Sequence, residues 1–313
     1  MKIQNVHDKF FKETFSRIDI ATNFLEELLE QNLIQQMNLS TLQMDNNSFV
    51  DEELEEHFAD ILYTCDYGQK SKIRIALLYE HKSYKEDYPH WQLNQYMLNV
   101  WKSGLKQNKY KPIPVIPIIL YHGRDKWSYQ SMASYFDNID ENLVKYIPDF
   151  DYHLINLNDI SDKRISNFKN KFLAISALLF KYSRYKKYVK KIEDNLVDLL
   201  KLVDNQGSSQ FVTSVVLYIQ NTDELTITEL FTIFTRVSSN LHQTVMTTAE
   251  QLISRGINQG ISQGISQGAE MKEIDAIKRG YSNGISIELL SNILNLPVQK
   301  VEEIIVKIKS DLL

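Results

Sequence analysis

The sequence predicts an α/β fold in which a mixed sheet is flanked by helices and followed by an all-helical region and a helical tail. Two observations predict the sheet: a hairpin pattern within residues 59–83, and a strand, helix and strand in that order immediately after it. A third observation predicts the helical remainder, since residues 160 to about 250 show only helical periodicity.

The first helical segment covers residues 1–36, where apolar side chains recur at spacings of three and four. A break is expected near Arg17 to Asp19. The hairpin follows in "ADILYTCDYGQKSKIRIALLYEHKS", whose Ile-, Leu- and Tyr-rich halves are joined by "YGQKSK". Asp60 lies near the start of the first strand and Glu80 near the end of the second. Those two ends are neighbours in an antiparallel hairpin.

A crossover connection is predicted after the hairpin. The stretch "HWQLNQYMLNVWKSGLKQ" (90–107) has a helical apolar side, "IPVIPIILYHG" (113–123) is β-rich, and "DYHLINL" (151–157) is a further strand. We therefore divide the chain into an α/β domain of residues 1–160, a helical domain of 161–250 with a basic segment, and a tail of 251–313.

The tail opens with a repeat of period four, in which Gly256, Gly260, Gly264 and Gly268 keep step with isoleucines. A flexible linker explains the repeat as well as a helix packed against a partner does, because each interior glycine costs about 0.8–1 kcal/mol relative to alanine. Two short helices around "NLP" then give a helix-turn-helix-like pattern. Residues 251–313 hold seven Lys or Arg and seven Asp or Glu, so no basic DNA-reading face is evident. We expect the tail to support a homo-oligomer or to bind a partner.

Composition excludes several classes of function. The single cysteine, Cys65, rules out an internal disulfide and has no neighbours that suggest a nucleophile. No phosphate-binding P-loop is present. No segment approaches the roughly 20 apolar residues of a membrane span, and the N-terminus lacks a signal-peptide pattern, so a cytoplasmic protein is expected. His7 and Asp8 form an "HD" pair, but phosphohydrolases of that type need further ligands on other helices.

The end of the second hairpin strand, "LLYEHKS", carries the clearest chemical signal. By strand alternation Glu80 and Lys82 share a face, while His81 points the other way. Two neighbouring carboxylates, Asp60 and Glu80, would repel unless a cation lay between them, and Mg²⁺ commonly takes one or two carboxylates, with waters and phosphate oxygens completing its shell. The His81 carbonyl could add a ligand, and Lys82 could serve the attacking water. The alternative is a solvated edge pair, with Asp60 capping the preceding acidic region.

Five blocks of sequence, in order, resemble a known family. These are "VHDKFFKETF", "FADILY", "LLYEHKS", "WQLNQYMLNVWK" and "VIPIILYHG". They occur in the same order in the recombination-promoting nuclease/putative transposase family of the PD-(D/E)XK nuclease superfamily. The resemblance covers roughly residues 1–160, and the glycine-repeat tail is also similar to the family's ends. It implies a restriction-endonuclease-like core that cleaves DNA phosphodiesters with Mg²⁺.

The resemblance also implies roles for individual residues. Asp60 matches the first metal-binding aspartate, Glu80 the second acidic ligand, and Lys82 the motif lysine, where many family members carry Gln. Ala59 stands where the superfamily's proline would precede Asp60. Gln95 lies on the helix after the motif strand, where related nucleases often place a polar residue facing the active site; a solvated position fits this amphipathic helix equally well. The rival function is an inactive DNA-binding or protein-interaction module that retains the nuclease fold.

A basic segment gives independent support for a phosphate-bearing partner. The chain has a net charge of -5, yet residues 163–191 contain ten Lys or Arg and no Asp or Glu. Clustered cations would neutralise DNA phosphates without reading base sequence. The alternative is that this segment pairs with the acidic run "DEELEEHFAD" (51–60), within the protein or across a dimer.

Overall fold

The computed structural model describes the backbone of residues 6–45, 58–69, 71–80, 86–106, 112–204 and 209–310. Its first elements are the helices α1 (Val6–Phe15), α2 (Ile18–Leu28) and α3 (Gln31–Ile34). The chain leaves helical geometry between α1 and α2, where Arg17 is extended at φ -81° and ψ 115°. The predicted break near Arg17 is therefore confirmed.

A five-stranded mixed sheet forms the centre of the fold. Its strands are β1 (Met37–Asp45), β2 (Phe58–Tyr67), β3 (Ser71–Glu80), β4 (Val115–Tyr121) and β5 (His153–Asn156), and their spatial order follows the chain order. The pairs β1–β2 and β2–β3 are antiparallel, whereas β3–β4 and β4–β5 are parallel. The parallel step from β3 to β4 requires a crossover, which α4 (Pro89–Lys106) supplies. The mixed sheet and the hairpin are confirmed; β1 was not predicted.

Each face of the sheet is covered by helices. One face packs Leu62, Leu78 and Ile119 against buried residues of α4, among them Leu93 and Met97. The opposite face belongs to a larger core that includes buried side chains of α1 and α2. Side chains alternate between these two cores along every central strand, as strand geometry requires. The face that a strand residue occupies therefore follows from its position alone.

The helices after β4 are α5 (Glu141–Val144), α6 (Asp162–Ser166), α7 (Lys171–Tyr182), α8 (Tyr188–Val203), α9 (Ser209–Thr222) and α10 (Ile227–Thr235). From α6 onward their buried side chains join the core under the sheet, and every residue of α7 from Phe172 to Phe180 is buried. The predicted all-helical region is confirmed. Because it shares this core, the first compact unit extends to Thr248 rather than ending near residue 160.

The second compact unit comprises residues 249–313. The glycine repeat lies in α11 (Ser239–Ser282), so its backbone is helical. Packing of this helix against a partner stays a prediction. The two predicted short helices are α12 (Ile287–Leu294) and α13 (Val298–Lys309), which pack around Ile277, Leu290 and Val301. Gly280 lies so close to Leu290 that a Cβ there would overlap the leucine side chain. In the part of the chain that the structure describes, no helix is long and apolar enough to cross a membrane.

Tyr63 connects the sheet to α1, because its hydroxyl donates a 2.6 Å hydrogen bond to the Phe15 carbonyl oxygen in the core. We predict that Tyr63→Phe lowers the free energy of unfolding by about 1–3 kcal/mol, since a buried carbonyl loses its donor. Urea denaturation measures the change. The control is Tyr146→Phe at a side chain that is 74% exposed, where a change below about 0.5 kcal/mol is expected. Equal losses in both variants would contradict this role for the hydroxyl.

Candidate active site

Asp60 is a buried carboxylate in the middle of the fold. It lies on β2 opposite Leu78 of β3, and only 6% of the residue is exposed. By strand alternation it belongs to the face that α4 covers. A carboxylate is costly to bury unless hydrogen bonds or a cation compensate it. The surroundings of Asp60 should therefore provide such partners.

Tyr96 of α4 provides one of these partners. Its hydroxyl donates to Asp60 Oδ2 at 3.0 Å, and its side chain is fully buried. Burial raises the pKa of Tyr96 well above its ordinary value, and the adjacent Asp60 carboxylate raises it further, since both disfavour a phenolate. Tyr96 therefore remains a hydrogen-bond donor that holds one carboxylate oxygen of Asp60 in place.

A pair of oppositely charged side chains lies on the same sheet face. Asp45 of β1 is opposite Leu62, Arg74 of β3 is opposite Thr64, and the two side chains form an ion pair at 3.9 Å. Both side chains are only 18% exposed. Arg74 also donates to the Val100 carbonyl oxygen of α4 at 3.4 Å. Asp45 and Arg74 thus join Asp60 on the sheet face under α4. The sequence analysis missed Asp45 because it did not recognise β1.

Glu80 occupies the last position of β3, where its backbone lies opposite Phe58. Positions 60 and 80 are diagonal neighbours on one face of the sheet, which corresponds to a Cα separation of about 7–8 Å. The register therefore matches the predicted proximity of these two positions. His81 and Lys82 lie outside the described residues, so their proposed roles remain predictions.

Gln95 does not share the surroundings of Tyr96. It is exposed, and its Nε2 donates to Asn99 Oδ1 at 3.5 Å, one turn further along α4. The side chain that contacts Asp60 belongs to the next residue. The sequence offered one signal for the role of Tyr96: it is a tyrosine within the apolar stripe of an amphipathic helix. A buried tyrosine hydroxyl usually has a hydrogen-bond partner. These contacts favour the solvated interpretation of Gln95 and leave its catalytic role without support.

His7 lies in a different cluster, together with His122. His7 Nδ1 is 2.8 Å from the Tyr218 hydroxyl, and its ring is 5.3 Å from that of His122. His122 is buried, with Nδ1 3.1 Å from the Phe180 carbonyl oxygen. Among the described residues, no group of three or more His, Cys, Asp or Glu could hold a metal ion. The structure therefore gives no support to an "HD" metal pair at His7 and Asp8.

The basic segment 163–191 divides into two groups of cations. Some bind within the protein: Lys181 pairs with Asp162 and Lys190 with Glu229, each at 2.7 Å, and Lys171 donates to two backbone carbonyl groups. Others are exposed at the start of α8. Most of the acidic run 51–60 lies outside the described residues, so its pairing with this segment stays a prediction.

Comparisons with known proteins identify related sequences. A family model described as "Putative transposase, YhgA-like" matches residues 5–248. The chain is 27% identical over 303 residues to the recombination-promoting nuclease RpnC of Escherichia coli K12, covering 96% of each chain. It is 26% identical over 248 residues to the recombination-promoting nuclease RpnD of E. coli O157:H7, covering 79% of this chain and 93% of the relative.

One relative carries a different description. The chain is 23% identical over 254 residues to the inactive recombination-promoting nuclease-like protein RpnE of E. coli K12, covering 80% of this chain and 82% of the relative. No solved structure matches significantly. The named relatives therefore include both nucleases and a protein described as inactive.

The hydrogen bond between Tyr96 and Asp60 can be measured by a double-mutant cycle. We predict that Tyr96→Phe lowers the free energy of unfolding by about 1.5–3 kcal/mol, because a buried carboxylate loses a donor. In the Asp60→Ala background the same change should cost less, giving a coupling energy of about 1–3 kcal/mol in urea denaturation.

A matched control exists in an exposed pair of the same chemistry. Tyr129 is 43% exposed and donates to Asp151 Oδ1 at 2.7 Å. Tyr129→Phe should cost about 1 kcal/mol or less, because water replaces the lost partner. A coupling energy near zero for Tyr96 and Asp60 would contradict the proposed support of the carboxylate.

Proposed function

Because the chain belongs to the YhgA-like putative transposase family, we propose that it is a metal-dependent endonuclease that hydrolyses DNA phosphodiester bonds. The observation that carries the proposal is Asp60, a buried carboxylate held by Tyr96 on the same sheet face as position 80. The names of RpnC and RpnD, which describe recombination-promoting nucleases, support both the substrate class and a role in recombination.

The donor set suits a hard divalent cation. Mg²⁺ prefers oxygen ligands and commonly binds through one or two carboxylates while retaining water and substrate phosphate oxygens. Asp60 and Glu80 would supply the carboxylates, with the His81 carbonyl as a further ligand. When bound, the metal ion would lower the pKa of a coordinated water and withdraw charge from the attacked phosphorus. The hydrogen bond from Tyr96 would orient the Asp60 carboxylate toward the cation.

Lys82 is proposed to assist the attacking water or to stabilise the negative charge that develops on the phosphoryl group. It follows Glu80 by two residues, the spacing that places alternate residues of a strand on one face. Many members of the resembled family carry Gln at this position. A neutral hydrogen-bonding side chain should therefore support part of the function of Lys82.

The alternative function is an inactive DNA-binding or protein-interaction module with the nuclease fold. The description of RpnE as inactive favours this alternative for some relatives. This chain contains Asp60, Glu80 and Lys82, which match the two acidic ligands and the lysine of the motif in the resembled superfamily. The two functions differ in whether a divalent cation and the carboxylate of Asp60 are required.

We predict that the purified protein cleaves plasmid DNA in Mg²⁺ but not in excess chelator. Asp60→Asn and Glu80→Gln should each lower the rate by about 10²-fold or more, because they remove a metal ligand and the charge stabilisation that depends on it. Gel analysis of supercoiled, nicked and linear DNA measures the rate. Lys82→Ala should also be impaired, and Lys82→Gln should recover part of the loss.

The matched control is Asp66→Asn. Asp66 lies on β2 as Asp60 does, but its side chain is 42% exposed and pairs with Lys72 at 3.6 Å. Its removal should leave cleavage unchanged. Chelator-resistant cleavage, or equal cleavage rates for Asp60→Asn and wild-type protein, would refute the assignment of the site. Absence of Mg²⁺-dependent cleavage by the wild-type protein would favour the inactive module.

Metal binding can be tested without measuring cleavage. Calorimetric titration of the DNA-free protein with Mg²⁺ or Mn²⁺ should show a site whose affinity falls at least about tenfold in Asp60→Asn. Asp66→Asn should retain wild-type affinity. Indistinguishable titrations for wild-type protein and Asp60→Asn would place the bound cation elsewhere.

A further inference from the structure

We propose that Arg124, Arg184 and Lys191 around Tyr185, together with the exposed Lys187 two residues further along the chain, form a cationic surface that binds the phosphate backbone of duplex DNA. The inference rests on the proposed nuclease function and specifies how its substrate is held. It assigns a binding role to a particular part of the basic segment and adds Arg124, which lies outside that segment in the sequence.

The cationic surface is connected to the strand that flanks the candidate active site. Tyr121, the last residue of β4, lies opposite Glu80 in the parallel register. His122 and Gly123 follow, and Arg124 is the next residue. Tyr121 packs in the core under α4, whereas His122 contacts Phe180 of the opposite core. The chain thus passes from the Asp60 face to the opposite face at the carboxyl edge of the sheet.

His122 is a positioning residue for this surface. Its Nδ1 lies 3.1 Å from the Phe180 carbonyl oxygen, which can only accept, so Nδ1 carries the hydrogen. Its Nε2 therefore accepts from Arg184 Nη2, also at 3.1 Å. The imidazole is buried, so this contact fixes the Arg184 side chain relative to the end of β4.

Tyr185 holds two further cations in place. The Arg124 guanidinium lies 5.2 Å from the centre of its ring, and Lys191 Nζ lies 5.4 Å from the same centre. Arg124 also donates to the Arg184 carbonyl oxygen. Cation–π contacts orient a charge without neutralising it. Arg124 and Lys191 are therefore held near one aromatic ring while both remain exposed.

Three cations of this surface form no ion pair with the described carboxylates. Among the described residues, no carboxylate lies within ion-pair distance of Arg124, Lys187 or Lys191, whereas nearby Lys190 pairs with Glu229 at 2.7 Å. Grouping like charges opposes folding unless a counterion is present, and duplex DNA supplies closely spaced phosphates. The four cations would contact phosphates, and none of them is assigned a contact with a base. We therefore expect binding that is insensitive to DNA sequence.

The test measures the salt dependence of DNA binding in chelator, where cleavage does not interfere. A fluorescently labelled short duplex is titrated with the full-length wild-type protein, Arg124→Ala, Lys191→Ala and the double variant, from about 50 to 200 mM salt. The slope of log affinity against log salt should become less negative by about 1 for each substitution and about 2 for the double variant. The loss should be the same for duplexes of unrelated sequence.

Lys145→Ala is the matched control, because Lys145 Nζ also lies over a tyrosine ring, that of Tyr146, at 5.1 Å. The slope of log affinity against log salt for Lys145→Ala should equal that of the wild-type protein. Arg124→Lys, which keeps the charge, should retain most of the wild-type slope. Circular dichroism and thermal unfolding check that each variant is folded.

The outcomes separate the two proposals. If the double variant keeps the wild-type salt slope while cleavage still depends on Asp60, the cationic surface is overturned and the nuclease proposal stays intact. Reduced slopes without any Mg²⁺-dependent cleavage would support the surface and overturn the nuclease activity. Failure of the wild-type protein to bind duplex DNA at all would overturn the surface.

Discussion

The burial of Asp60 beneath α4 is the constraint on which the candidate site depends. The parallel step from β3 to β4 requires a crossover, and α4 as that crossover covers the sheet face that carries position 60. An uncompensated carboxylate in this place would cost several kcal/mol. Tyr96 reduces that cost by donating a hydrogen bond, and it lies on the helix that causes the burial. The same packing step thus buries and orients the carboxylate.

The ion pair between Asp45 and Arg74 adds two charged side chains to the otherwise apolar interface between the sheet and α4. Asp45 and Arg74 are largely removed from water, and Arg74 additionally contacts the backbone of α4 at Val100. Buried ion pairs are often no more stabilising than well-packed apolar side chains of similar volume. Stability alone therefore does not account for the ion pair between Asp45 and Arg74 on the same face as Asp60. The proposed binding of a cation by Asp60 gives a physical reason for retaining that carboxylate in the interface.

The sequence predicted the parts of the fold that depend on local patterns. The hairpin of β2 and β3, the crossover helix and the helices after residue 160 all follow from apolar periodicity, and the structure contains each of them. β1 was missed because "MNLSTLQMD" has polar residues at most positions and lies at the edge of the sheet. An edge strand packs less of its surface, so its pattern is weak. The shared core of the first unit could not be foreseen either, since it depends on contacts between residues far apart in the chain.

In the candidate site, too, local features could be predicted and features set by tertiary packing could not. The proximity of positions 60 and 80 could be predicted because hairpin register is a local property, and β2 and β3 are paired without interruption from Phe58 to Tyr67. The contact between α4 and Asp60 depends on how the helix is rotated about its axis. One residue corresponds to about 100° of rotation, so a small error replaces the buried Tyr96 with the exposed Gln95. Tertiary packing, which sets that rotation, is not encoded in residue spacing alone.

The separation of charge in this chain follows from the needs of its proposed substrate. A dense cluster of lysines or arginines at Asp60 would compete with a divalent cation for the carboxylate, whereas the single Lys82 is proposed to assist the attacking water. Arg184 is instead held by His122 on the opposite face, while both faces meet at the carboxyl end of β4 next to position 80. Two consecutive residues, Tyr121 at the end of β4 and His122 immediately after it, thus face the two regions. A net charge of -5 is therefore compatible with DNA binding, because phosphates respond to the local arrangement of cations rather than to the sum over the chain.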